Sequence, residues 1–108
     1  MAEPEPIVLV YVTCPDLETA TSLGKRLVAE RHAACVNIFP EMISCYHWQG
    51  AIEDDRESVL IVKTRRDKLA AVRAYVEEHH PYEVPAILTI PLEHVNAPYR
   101  AWLLAEVN

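Results

Sequence analysis

The chain has 108 residues, with 10 Lys and Arg against 16 Asp and Glu, a net charge of −6 with histidine neutral, and 51% hydrophobic residues. A chain of this length builds one core, burying roughly 65% of its unfolded surface, and has no room for two. The acidic balance argues against nucleic acid as the main partner, although Arg65, Arg66 and Lys68 cluster. No run of ~18 apolar residues occurs, so no membrane-spanning helix is expected. The start, Met1 to Pro6, is acidic and proline-rich, without the basic and apolar regions of a signal peptide. A cytoplasmic location and a flexible 1–6 segment are therefore expected. Cys14, Cys35 and Cys45 are an odd number without CxxC spacing. That speaks against a disulfide scaffold and against a four-cysteine zinc site.

The first ordered segment, Ile7 to Val12, is short, apolar and β-branched without alternation. It predicts a strand covered on both faces. Thr13-Cys14-Pro15 breaks it, and Asp16 is a good helix cap. Leu17, Ala20, Leu23, Leu27, Val28 and Arg31 follow at helical spacing, predicting a helix over 16–31 with the Arg31 stem along its stripe. Ala33 to Phe39 reads as a second strand, interrupted by Pro40-Glu41. It resumes at Ile43, with Ser44, Tyr46 and Trp48 on one face and Ile43, Cys45 and His47 on the other. Gln49-Gly50 is the turn, and 51–64 is a third strand with an acidic entrance around Glu53, Asp54 and Asp55. Asp67 is expected to cap a second helix whose buried face carries Leu69, Val72, Val76 and His79. Pro81 ends that helix, Val84 to Ile90 reads as an edge strand beginning near Pro85, and Asn96 caps a last helix carrying Tyr99, Trp102, Leu103 and Glu106.

Strand–helix–strand, twice, joined by a hairpin and followed by a short helix, predicts an α+β protein of one domain, residues 1–108. The natural closure is the ferredoxin-like (βαβ-βαβ) antiparallel sheet with both crossover helices on one face. Its central hairpin is unusually long. At ~3.3 Å per residue one arm reaches roughly 45–50 Å, whereas a 16-residue helix covers only ~24 Å. The overrun carries Ile43, Tyr46, Trp48 and Ile52 with unpaired backbone at its edges. Soluble proteins do not usually leave such an edge open, so pairing with another copy of the chain is expected; the competing reading is a hairpin that kinks at Pro40 and folds back on its own domain.

Several side chains are candidates for chemistry. His79 and His80 offer imidazole, which suits copper, zinc and nickel, and Glu83 stands three residues on. Together they make a candidate site for Cu(II) or another divalent ion. Adjacent positions on an intact helix diverge by ~100°, so only a relaxed helix end lets both rings share one ion. A core or interface role for His79 and a helix-end role for His80 are the competing readings. Cys14, before a helix N-terminus, occupies a place that can lower a thiol pKa. With no orienting group in the sequence it reads as an inert thiol, and the chain reads as a non-enzyme. Cys35 reads as core. Gly24 and Gly50 are isolated, so no phosphate loop and no organic cofactor are expected.

The series Ala33-Ala34-Cys35-Val36-Asn37-Ile38, then Ser44, Tyr46, Trp48 and Gly50, then Glu57, Lys63-Thr64, then His80-Pro81-Tyr82-Glu83-Val84-Pro85, with Tyr99 and Trp102 near the end, resembles the CutA family of divalent-cation tolerance proteins over about residues 7–105. The resemblance implies a ferredoxin-like subunit in a tight homotrimer, with the hairpins packed between subunits. It implies a role in tolerance of copper and other divalent cations, and copper binding. The architecture is also similar to that of trimeric nitrogen-regulatory signal proteins, which points to a sensor or adaptor. On that pattern Trp48, Glu57, Lys63, Tyr82 and Glu83 line a cleft between subunits. That cleft is either a site for a small polar or anionic ligand, or a hydrogen-bond and ion-pair network, with a Lys63–Glu57 pair among its members. The chain departs from the pattern at Ala86, where many members carry Glu, and at Val12, where some bacterial members carry Cys.

Overall fold

The computed structural model describes residues 5–107. The chain runs β1 (Ile7–Cys14), α1 (Leu17–Ala29), β2 (Cys35–Trp48), β3 (Ala51–Arg65), a short 3-10 turn (Arg66–Lys68), α2 (Leu69–His79), β4 (Ile87–Pro91) and α3 (Ala97–Glu106). The sheet order is β2-β3-β1-β4, every neighbouring pair antiparallel. This is the expected α+β, ferredoxin-like arrangement. Of the 1–6 segment expected to be flexible, residues 1–4 lie outside the described residues. Glu5 and Pro6 are held in place: Arg100 clasps the Glu5 carboxylate at 2.5 and 3.1 Å, and the Arg66 N–H donates to the Pro6 carbonyl at 2.6 Å. Among the described residues no helix is long and apolar enough to cross a membrane.

One sheet face carries Val10, Val12, Leu60 and Val62, and it packs against Ala20, Leu23 and Leu27 of α1 and Val72 and Val76 of α2 to form the main core. Gly24 allows the close approach. A Cβ there would stand 2.9 Å from Val36 Cγ2 and 3.0 Å from Leu60 Cδ1. The other face bears Leu9, Tyr11, Ile61, Leu88 and Ile90 at matching register positions. Here the expectation of a doubly covered β1 fails: burial alternates along it, and Leu88 and Ile90 on β4 are exposed. An all-apolar strand does not reveal which face its own chain covers. The end near Ile7 is sheltered on this side by a second small core of Ile7, Val95, Leu103 and Val107 under α3.

Local chemistry sets most boundaries. Asp16 caps α1 by accepting from the Thr19 N–H at 2.7 Å. The helix ends at Ala29 because Arg31 turns left-handed at φ 60°. Arg31 thereby leaves the apolar stripe and binds the Glu106 carboxylate and carbonyl of α3. Leu17 and Val28, also assigned to the stripe, are exposed. Asp67 does not cap α2: it lies in the preceding turn and is held by Arg65 at 2.7 Å. Asn96 occupies the N-cap of α3 without a side-chain bond. β4 starts at Ile87 and not at Val84, because Pro85 offers no donor to a ladder.

The hairpin fills both long arms, 14 residues in β2 and 15 in β3, and the molecule is 46 Å along its longest axis. Gln49 (φ 50°) and Gly50 (φ 83°) both turn left-handed, the conformation a tight two-residue hairpin turn requires. A bulge lies between Phe39 and Met42, where β2 spends three steps against two on β3 from Val59 to Glu57. The Ser58 hydroxyl donates to the freed Pro40 carbonyl at 2.7 Å. The extra residue reverses side-chain parity. Met42, Ser44, Tyr46 and Trp48 thus share the open face with Phe39, opposite Glu57, Asp55, Glu53 and Ala51.

Candidate functional site

The bulge and one loop make a cleft. Beyond α2 the chain turns at His80, the first residue past the helix, and runs as an irregular loop to β4. His80 is buried. Its Nδ1 accepts from the Tyr82 N–H at 3.1 Å and its Nε2 faces the Thr13 carbonyl at 2.8 Å. A backbone N–H only donates, so Nδ1 is unprotonated and the proton sits on Nε2, donating to Thr13. This anchor places Tyr82 over the hairpin root, where its hydroxyl donates to Glu57 Oε2 at 2.7 Å. The resulting cleft of about 330 Å³ is lined by Tyr46, Trp48, Asp55, Glu57, Tyr82 and Glu83, with Thr13, Val84 and Ala86 completing the wall.

The electrostatics are one-sided. Asp55, Glu57 and Glu83 supply carboxylates, and among the described residues none of them is ion-paired with Lys, Arg or His. Tyr46 donates its hydroxyl to Asp55, and that bond pushes its phenol up to about 12. Burial, then the Glu57 bond, raises the Tyr82 phenol further. Both phenols are therefore neutral donors to their carboxylate partners.

The predicted site residues divide. Trp48, Glu57, Tyr82 and Glu83 meet in the cleft, but Lys63 does not. It lies six residues from Glu57 on the same strand, about 20 Å away. Its Nζ contacts the Tyr99 hydroxyl at 3.3 Å in a separate hollow under α3. A Lys63–Glu57 pair within one chain is thereby ruled out. His79 leaves the apolar stripe expected for it. It is exposed, stacks on Tyr75 with ring centroids 4.1 Å apart, and turns Nδ1 to the Tyr75 carbonyl at 2.9 Å. It lines a different groove with Asp16, Glu18 and Tyr75. With both His80 nitrogens occupied and Glu83 in the cleft, His79, His80 and Glu83 do not converge in one chain. Among the described residues no three of His, Cys, Asp and Glu gather as a metal site.

Cys14 is fully buried at the end of β1. Burial first, then the negative charges of Asp16 and Glu57, push its thiol up to about 11, the reverse of nucleophile activation. Cys35 is half-buried on the open face opposite Lys63, where a core position was expected. Cys45 is exposed and faces Asp54, which raises its pKa. Asp55 and Tyr46 are the cleft residues that sequence reading passed over as binding groups. The acidic stretch reads as a solvated strand entrance until the strands are paired outward from Gln49-Gly50. Pairing then sets Asp55 beside Ser44, next to Tyr46 on one face.

A split βαβ sheet with an overlong hairpin, and a histidine-anchored loop closing an aromatic and acidic cleft against it, define a ferredoxin-like subunit of distinctive build. The chain belongs to the CutA1 divalent ion tolerance protein family, whose model matches residues 8–106. It is 43% identical over 93 residues to a Protein CutA homolog of Xenopus laevis, covering 86% of this chain and 62% of that one. It is 42% identical over 102 residues to the divalent-cation tolerance protein CutA of Pyrococcus horikoshii, covering 94% and 99%. The chain thus spans only about six-tenths of the animal relative but nearly all of the archaeal one. Among solved structures, CutA1 from Oryza sativa superposes with a TM-score of 0.92 at 37% identity, covering 97% of this chain and 96% of that one. The periplasmic divalent cation tolerance protein CutA from Archaeoglobus fulgidus superposes with a TM-score of 0.91 at 40% identity, covering 94% and 99%.

Proposed function

We propose that the chain acts in divalent-cation tolerance as a homotrimer that binds divalent metal, copper(II) first, and that it is a cytoplasmic binding protein and not an enzyme. One observation carries the assembly. The hairpin end is open on both faces, with Ile43 69% and Ile52 68% exposed on one side and Tyr46 and Trp48 exposed on the other. The unshielded sheet face of Leu88 and Ile90 supports it further, because a monomer rarely leaves this much apolar surface to water. Family membership supports the metal half, and copper(II) heads the affinity order for nitrogen and oxygen donors. The metal is cargo, and its ligand set is not the His79–His80–Glu83 trio of one subunit. The raised Cys14 thiol supports the non-catalytic reading. The compartment is the open part of the family pattern, since relatives are named chloroplastic and periplasmic.

Sedimentation equilibrium tests the assembly: a trimer is expected, and a concentration-independent monomer overturns it. Ile43→Lys combined with Ile52→Lys should shift the protein toward monomer. Copper(II) titration against a competing chelator tests the metal half, and absence of binding overturns it. A second reading is favoured by the cleft itself, as the ligand site of a trimeric signalling or adaptor module. Its three carboxylates and lack of a local cation disfavour the anionic ligand that the family pattern suggested.

A further inference from the structure

We propose that the hairpin carries a divalent-metal site made by Cys45, His47 and Asp54. The inference rests on the metal half of the proposed function, and it names the ligands. The ladder pairs Cys45 with Asp54 and His47 with Ile52. Side chains two apart on a strand, and those directly opposite across the ladder, share a face. Thiol, imidazole and carboxylate therefore stand on one side of the ribbon, with Tyr46 and Trp48 on the other. Their Cβ atoms are about 5 Å apart across the pair and about 7 Å apart along the strand. One ion with bonds of about 2.0–2.3 Å reaches all three from a point between them. This spacing belongs to two hydrogen-bonded strands of one chain, so it is the same whether water or a neighbouring copy covers the ribbon.

Two of the donors already meet. Hydrogen bonding between Cys45 and Asp54 raises the thiol above its usual pKa, and an ion in place of that shared proton satisfies both groups. Among the described residues no three such side chains close on one point. His47 is exposed and completes the set by a change of rotamer. The cation on the same face, Arg56, is held by Glu41 and leaves Asp54 to the ion. Thiolate and imidazole select borderline ions such as zinc, copper and nickel, whereas magnesium and calcium favour oxygen alone. Three donors leave a fourth tetrahedral position for water.

The test uses the full chain in its native assembly, with its thiols reduced. Cobalt(II) is titrated first, because a cobalt–thiolate bond shows as a charge-transfer band in the near ultraviolet. Zinc then competes for the site without redox chemistry of its own. Binding of one ion per chain is expected, with the thiolate band. Cys45→Ser should abolish the band, and His47→Gln and Asp54→Asn should each weaken binding by about tenfold or more. Cys35→Ser should keep the band, which assigns it to Cys45 even should Cys45→Ser fold poorly, since Cys14 is fully buried. Sedimentation of each variant checks that the assembly is intact. Binding without the thiolate band, binding unchanged in the Cys45, His47 and Asp54 variants, or displacement of cobalt by magnesium or calcium overturns this ligand set while sparing the metal reading. No saturable binding of cobalt, zinc or copper(II) overturns both.

Discussion

The Tyr82 hydroxyl donates to Glu57 Oε2 across 2.7 Å, tying the loop after α2 to the root of the hairpin. One contact thus joins the two segments that form the cleft. Tyr82→Phe removes the donor and leaves a half-buried carboxylate with one partner fewer. A loss of about 1 kcal/mol is expected by chemical denaturation. The phenol is raised in the folded state, so its stabilising contribution is complete below the ordinary tyrosine pKa of about 10 and is lost as pH rises beyond it. The wild-type advantage over Tyr82→Phe should shrink in strong alkali, and an advantage that grows there would contradict the hydrogen bond.

His80 is the second fastening of the same loop. Its ring joins Thr13 of β1 to Tyr82, using both nitrogens. His80→Ala strands a half-buried carbonyl and a half-buried N–H, at a cost of about 2 kcal/mol. Hydrogen exchange should accelerate at Tyr82 in this variant. In the native protein, nitrogen NMR should report the neutral tautomer with the proton on Nε2. A proton on Nδ1 would be incompatible with the Tyr82 bond.

Acid stability should depend on Glu5 and Arg100. The Arg100 guanidinium holds the Glu5 carboxyl below the usual range. A group with a lowered folded pKa stabilises fully above its unfolded value, about 4.3 for glutamate, and loses that contribution as pH falls through the folded value. Arg100→Ala should therefore melt lower at neutral pH, with the gap to wild type closing in acid. A gap unchanged down to about pH 2 would show that the clasp contributes nothing through charge.

The two glycines make contrasting predictions. At Gly24 the obstacle is space, since an added methyl group meets Val36 and Leu60. Gly24→Ala should cost about 1–3 kcal/mol through overpacking of helix against sheet. At Gly50 there is open space but a φ of +83°, so Gly50→Ala should cost about 1 kcal/mol through backbone strain alone. Thermal melts of both variants separate the mechanisms. Gln49→Asn, better suited to its left-handed position, should raise stability slightly.

Periodicity and length carried most of the architecture. The alternation of Ser44, Tyr46 and Trp48 against Ile43, Cys45 and His47 is the one observed, and the overlong arms follow from counting residues between Phe39 and Thr64. Contacts between distant segments were not legible. Nothing local tells that His80 folds inward to Thr13, 67 residues away, or that Lys63 turns to Tyr99 and away from the cleft. Asp67 has the right residue type and position for a helix cap, yet Arg65, two residues earlier, competes for its carboxylate and wins. His79, His80 and Glu83 do not converge within one chain for a related reason. Adjacency in sequence brought His79 and His80 together, but the end of α2 falls between them, leaving one ring in solvent and the other inside.

The Pro40 bulge works as a phase shifter for the whole outer arm. A regular ladder there, with no residue removed, would rotate every later β2 position by half a period. Cys45 and His47 would then stand where Tyr46 and Trp48 now meet the loop, trading an aromatic wall for a thiol and an imidazole without altering one contact of the main core.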